Sequence, residues 1–77
     1  MDEAYFEAQK KYLLHQISKH GYSKEYALSL KFDSLSEQQG LQYGSMSVDE
    51  MWEYSGRIDA IWLEIRGVVD AANKEEQ

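Results

Sequence analysis

The 77-residue chain contains no cysteine and no proline. Without cysteine there is no disulfide framework and no thiolate zinc site, so the fold rests on packing alone, as suits a reducing compartment. Without proline nothing imposes a hard stop on a helix. No apolar stretch approaches the ~20 residues that a membrane span requires. The start, Met1-Asp2-Glu3-Ala4-Tyr5, lacks the basic and apolar segments of a signal peptide. Together these absences lead us to expect a cytoplasmic, single-domain protein spanning residues 1–77 and complete from its initiator methionine. Cations are also scarce, eight Lys and Arg against fourteen Asp and Glu, for a net charge of −6. Residues 49–77 hold eight of those carboxylates against only Arg57, Arg66 and Lys74. Such a surface repels phosphates, which argues against direct nucleic-acid binding and favours a basic protein partner.

What is present is helical periodicity. Residues 2–20 read as a first helix, with acids at its start, Lys19 and His20 at its end, and Gly21 as the left-handed stop. Phe6, Leu13 and Ile17 share one face, and Tyr5 and Tyr12 lie one heptad apart on a neighbouring strip. Ser23 reads as the N-cap of a second helix over residues 24–38, with Leu28, Phe32 and Leu35 inward. The stretch Tyr26–Asp33 also alternates large apolar with small or polar residues. The alternative is therefore a strand paired with Leu41-Gln42-Tyr43, an α+β fold with a β-hairpin between two helices. Gly40 and Gly44 bracket a turn in either case.

Ser47 and Glu50 form an S-x-x-E capping box at the start of a long third helix reaching about Lys74. Its core face is Met51, Ile58, Trp62, Ile65, Val69 and Ala72, and Glu53–Arg57 and Asp70–Lys74 have the spacing of ion pairs. The tail from 73 to 77 has nothing to bury, and we expect it to fray. We therefore expect an all-α fold, a small three-helix bundle with a long C-terminal helix.

A second strip on that helix, Trp52, Gly56, Ala60, Leu63, Gly67 and Ala71, lies well round from the core face. Glycine inside a helix costs roughly 1 kcal/mol relative to alanine, so two on one strip suggest a close approach by something else. Six tyrosines and two tryptophans exceed what a core this small can bury. Trp52, Tyr54, Tyr5, Tyr12 and Tyr43 are the aromatics we expect to be partly exposed.

Chemistry is poorly represented. His15 and His20 fall roughly 140° apart on a helix and cannot share a metal from that element. Ser45 and Ser47 have no nearby histidine, and phosphate-loop and dinucleotide fingerprints are absent. We expect no enzyme, no cofactor, no metal and no small-molecule substrate. The expected function is a protein-binding module, an intracellular inhibitor or immunity and anti-defence type of protein, of the kind phages carry, that binds a larger, basic or nucleic-acid-binding protein. Its expected contact residues are Trp52, Glu53, Gly56, Ala60, Leu63, Glu64, Gly67, Tyr5 and Tyr12. The alternative is a structural homodimer formed through the small-residue strip.

Overall fold

The computed structural model describes residues 3–41 and 43–75, with side chains described over 3–36 and 44–74. Three helices follow one another: α1 (Glu3–Lys19), α2 (Lys24–Leu41) and α3 (Val48–Glu75), with a short 3₁₀ turn at Tyr43–Ser45 before α3. Among the described residues there is no strand, so the hairpin alternative fails. Gly40 lies within α2, and the chain turns only after Leu41. Tyr43's side chain and Gln42 lie outside the described residues.

The ends of the helices form as local chemistry dictates. After α1, Tyr22 N–H donates to the Ile17 carbonyl at 3.0 Å and Gly21 N–H to that of Ser18 at 3.0 Å, the paired bonds of a Schellman stop. Gly21 takes the left-handed φ of 65° this requires, and Tyr22 follows at φ 57°, which a bulky side chain rarely adopts. Asn73, one element pair away, fastens the turn: its amide donates to the Tyr22 carbonyl at 2.9 Å and to that of Val69 at 2.8 Å. Of the tail expected to fray, residues 73–75 continue α3, with Asn73 bound to two carbonyls, and residues 76 and 77 lie outside the described residues. Ser23 Oγ accepts from Tyr26 N–H at 3.2 Å as the cap of α2. At α3 the capping box is complete. Glu50 N–H donates to Ser47 Oγ and Ser47 N–H to Glu50 Oε1, both at 3.2 Å.

The order of contacts fixes the directions. Glu3 meets Arg57 and Lys10 meets Glu64, so α1 and α3 run parallel. Lys24 meets Asp70, so α2 runs antiparallel to α3. The first residue of α1 reaches Arg57, and the rings of Tyr5 and Phe6 reach back to Tyr54, so α1 flanks α3 from about Tyr54 onward. The 28-residue α3 accounts for the elongated 45 × 20 × 16 Å shape.

The core is Phe6, Leu13 and Ile17 of α1 against Tyr54, Ile58, Ile61, Trp62, Ile65 and Val69 of α3. Met51 and Ala72, at the two ends of the expected face, are only half-buried. Tyr54 corrects the expectation of exposure: it is buried at 2%, its ring 5.8 Å from that of Phe6 and its hydroxyl 3.3 Å from that of Tyr5. It and Ile61 widen the core arc of α3 on the side where α1 docks.

α2 is turned differently from expectation. Tyr26, Ala27, Leu30 and Leu35 pack on the core, while Leu28 and Phe32 face outward. Apolar residues are distributed around much of this helix, so its pattern does not fix its rotation; the connection does. The Schellman turn sets the first residues, and His20 stacks on Tyr26 with ring centroids 3.6 Å apart and planes 8° from parallel.

Candidate protein-binding surface

On the helical wheel of α3, Trp52, Gly56, Ala60, Leu63, Gly67 and Ala71 centre on the side opposite Ile58. All six are exposed, Trp52 at 76% and Leu63 at 68%. Trp52 is near the N-terminal end of α3, on the face turned away from α1 and the core. A side chain built at Gly56 or Gly67 would meet nothing within 4 Å, so no neighbour in the chain itself demands glycine at either position. Val48, 65% exposed, adds apolar surface at the same end.

A second apolar patch was hidden by the expected rotation of α2. Leu28 and Phe32, one turn apart, are 55% and 62% exposed. Leu28 and Lys31 border an open groove of about 650 Å³ between α2 and α3, floored by Trp62 and Val69 and bordered across the way by Asp59 and Leu63. The signal that could have found this patch is the weak amphipathicity of α2, which leaves more large apolar residues than one buried face accommodates.

The remaining expected contact residues do not all join the α3 face. Glu53 is exposed at its edge. Glu64 is engaged by Lys10 at 3.1 Å across the α1–α3 junction, so replacing it disturbs helix docking as well as any outside contact. Tyr5 leans on Phe6 in an edge-to-face contact at 5.3 Å and shares its hydroxyl with Tyr54. Tyr12 is exposed, but it lies on the flank of α1 opposite Glu3 and Lys10, the residues that reach α3, and so points away from the strip.

The ion pairs expected within α3 are replaced by others. Arg57 binds Glu3 rather than Glu53 and lies 4.8 Å over the Phe6 ring, while Asp70 meets Arg66 at 3.6 Å and Lys24 at 4.0 Å rather than Lys74. The hydrogen bond from Arg57, then its charge, holds the Glu3 carboxyl below the ordinary glutamate range. Hydrogen bonds to Glu64 and then to Glu7 raise the Lys10 ammonium above the ordinary lysine range. Both ties bind α1 to α3 at the solvent-exposed rim, where such pairs contribute little each.

Their signs define a pH window. The depressed Glu3 contributes stability above its unfolded pKa, about 4.3, and loses it as the pH falls through the lower folded value. The raised Lys10 contributes below its unfolded pKa, about 10.4, and loses it as the pH rises through the higher folded value. We expect the gap in melting temperature between Lys10→Met and the parent to close as the pH rises into the strongly alkaline range, where the ammonium is lost. A constant gap between the two proteins up to the most alkaline pH would contradict the Lys10–Glu64 tie.

Among the described residues, no group of three His, Cys, Asp or Glu is placed to hold a metal ion, and no helix is long and apolar enough to cross a membrane. No protein-family model, no curated protein and no solved structure matches the chain. The fold and surface define a small all-α three-helix bundle with uncovered apolar faces on two of its helices.

Proposed function

We propose that the chain is a non-enzymatic protein-binding module, an intracellular inhibitor or immunity-type protein that acts by occupying a surface of a larger, basic protein. The observation that carries this reading is the amount of large apolar side chain left uncovered. Trp52 and Leu63 on α3 and Leu28 and Phe32 on α2 are each more than half exposed. Tryptophan is among the residue types that dominate binding energy at protein interfaces, and phenylalanine is enriched there.

Charge supports the kind of partner. Once the ion pairs with Lys10, Lys24 and Arg66 are set aside, Asp49, Glu50, Glu53 and Asp59 remain without an ion pair among the described residues of α3, Glu50 being held by the capping box. They surround Trp52 along the N-terminal half of the helix. A basic partner would gain association rate from this field, and the gain would shrink with added salt.

The test is capture from the native cell or host lysate by wild type and by Leu28→Ser/Phe32→Ser, at low and high salt. We expect one dominant bound protein, lost at high salt and reduced at least tenfold by the double substitution, while circular dichroism shows the fold retained. The same captured set with both proteins would remove the α2 patch from the reading, and an absence of any dominant partner would refute it.

A further inference from the structure

Resting on the reading of this surface as protein-binding, we infer that the outer face of α3 binds a second copy of the chain, antiparallel and about a two-fold axis level with the Ile61–Trp62 peptide. The face begins and ends in charge: Asp49 lies in line with it at the first turn and Lys74 at the last. From Asp49 through Trp52, Gly56, Ala60, Leu63, Gly67 and Ala71 to Lys74 the intervals are 3, 4, 4, 3, 4, 4 and 3 residues. The spacing reads the same from either end.

A two-fold axis at the midpoint therefore brings each position opposite its mirror. Trp52 meets the partner's Ala71, and Leu63 meets the partner's Ala60, so each large apolar residue faces a small one. Gly56 meets the partner's Gly67, where the two backbones come closest and neither glycine is needed by its own chain. At the two ends Asp49 meets the partner's Lys74, and on the edge toward α2 Asp59 comes within reach of the partner's Arg66. Asp49, Asp59 and Lys74 make no ion pair among the described residues, and Arg66 is held only loosely by Asp70, at 3.6 Å. Size and charge are thus complementary under one operation, which an isologous interface requires and an arbitrary partner does not.

The interface is small. Roughly a dozen residues a side, against the ~20–30 of a standard interface, place it at the weak end of specific complexes. Dissociation in the micromolar range is expected. Leu28 and Phe32 lie on α2, outside the α3 face itself, and are read separately.

The test is the mass of the protein in solution by sedimentation from low micromolar to near-millimolar concentration, for wild type, Asp49→Lys, Lys74→Glu, the double swap Asp49→Lys/Lys74→Glu, and Gly56→Leu. Wild type should pass from monomer to dimer. Each single swap should raise the dissociation constant roughly tenfold, since each turns two rim attractions into repulsions. The double swap should recover most of that loss. Asp49 and Lys74 are ~38 Å apart along their own helix, so the recovery can arise only between copies. Both swaps also oppose the helix dipole, so recovery cannot come from a better-folded monomer. Gly56→Leu should stay monomeric with its helix content intact.

A monomer at every concentration, a double swap as weak as the singles, or a Gly56→Leu dimer as tight as wild type would each overturn this arrangement. None of these outcomes touches the capture of another protein through Leu28 and Phe32, which the lysate experiment reads separately.

Discussion

Ile17→Ala is expected to leave the protein largely unfolded at 37 °C. Ile17 is fully buried, at 0%, and its backbone carbonyl also receives the Tyr22 and His20 amides that close α1. Truncating such a side chain costs ~2–5 kcal/mol through lost transfer energy and the cavity left behind. A single core of this size supplies only ~3–5 kcal/mol in total, so one substitution consumes most of the margin. Urea denaturation followed by circular dichroism checks this. A midpoint close to that of wild type would mean that α1 does not contribute to the core as described.

Replacing the two glycines of α3 has the opposite expected sign. Gly56 and Gly67 sit in the interior of α3 with open space where a Cβ would go. Alanine at each should stabilise the monomer by ~1 kcal/mol, from helix propensity alone. In a domain of this size ~1 kcal/mol moves the melting temperature by ~4–8 °C, so Gly56→Ala/Gly67→Ala should melt roughly 10 °C higher, measured at a concentration where the chain is monomeric. A lower melting temperature would show that a neighbour in the same chain uses those positions. The expected gain also bears on function. Such a gain is what the proposed contact with a second copy implies, since no neighbour in the monomer approaches either glycine.

The helices were legible because their end signals are local. Ser47 and Glu50 cap α3, Ser23 caps α2 and Gly21 stops α1, as three- and four-residue patterns predict. The α3 core stripe was legible because Ile58, Trp62, Ile65 and Val69 repeat at helical spacing. The rotation of α2 was not, since it depends on the His20–Tyr26 stack and on Asn73 reaching the Tyr22 carbonyl from 51 residues away. No pattern within α2 encodes those contacts. The burial of Tyr54 was missed for a related reason: a tyrosine beside the apolar stripe is buried only if a second helix arrives with Phe6 and a hydroxyl partner in Tyr5. Ion pairs followed the same rule. Arg57 and Asp70 have partners at i,i±4, yet Arg57 takes Glu3 from another helix and Asp70 is shared between Arg66 and Lys24.

For the candidate surface, the α3 strip was visible in sequence as six uncharged residues away from the core stripe. The Leu28 and Phe32 patch was not, because their spacing with Leu35 equally suits an inward face. Glu64 is exposed, and its carboxylate is bound to Lys10. Glu53→Lys is the cleaner probe of the acidic field.

The central claim is that the outer face of α3 is a binding surface rather than solvated helix. The most direct measurement is a series of amide correlation spectra of the isotopically labelled chain from low micromolar to near-millimolar concentration. Progressive shifts are expected, confined to Asp49, Trp52, Gly56, Ala60, Leu63, Gly67, Ala71 and Lys74 and their immediate neighbours, with the Trp52 indole among the largest. Spectra that do not change with concentration, or changes centred on α1, would contradict the claim.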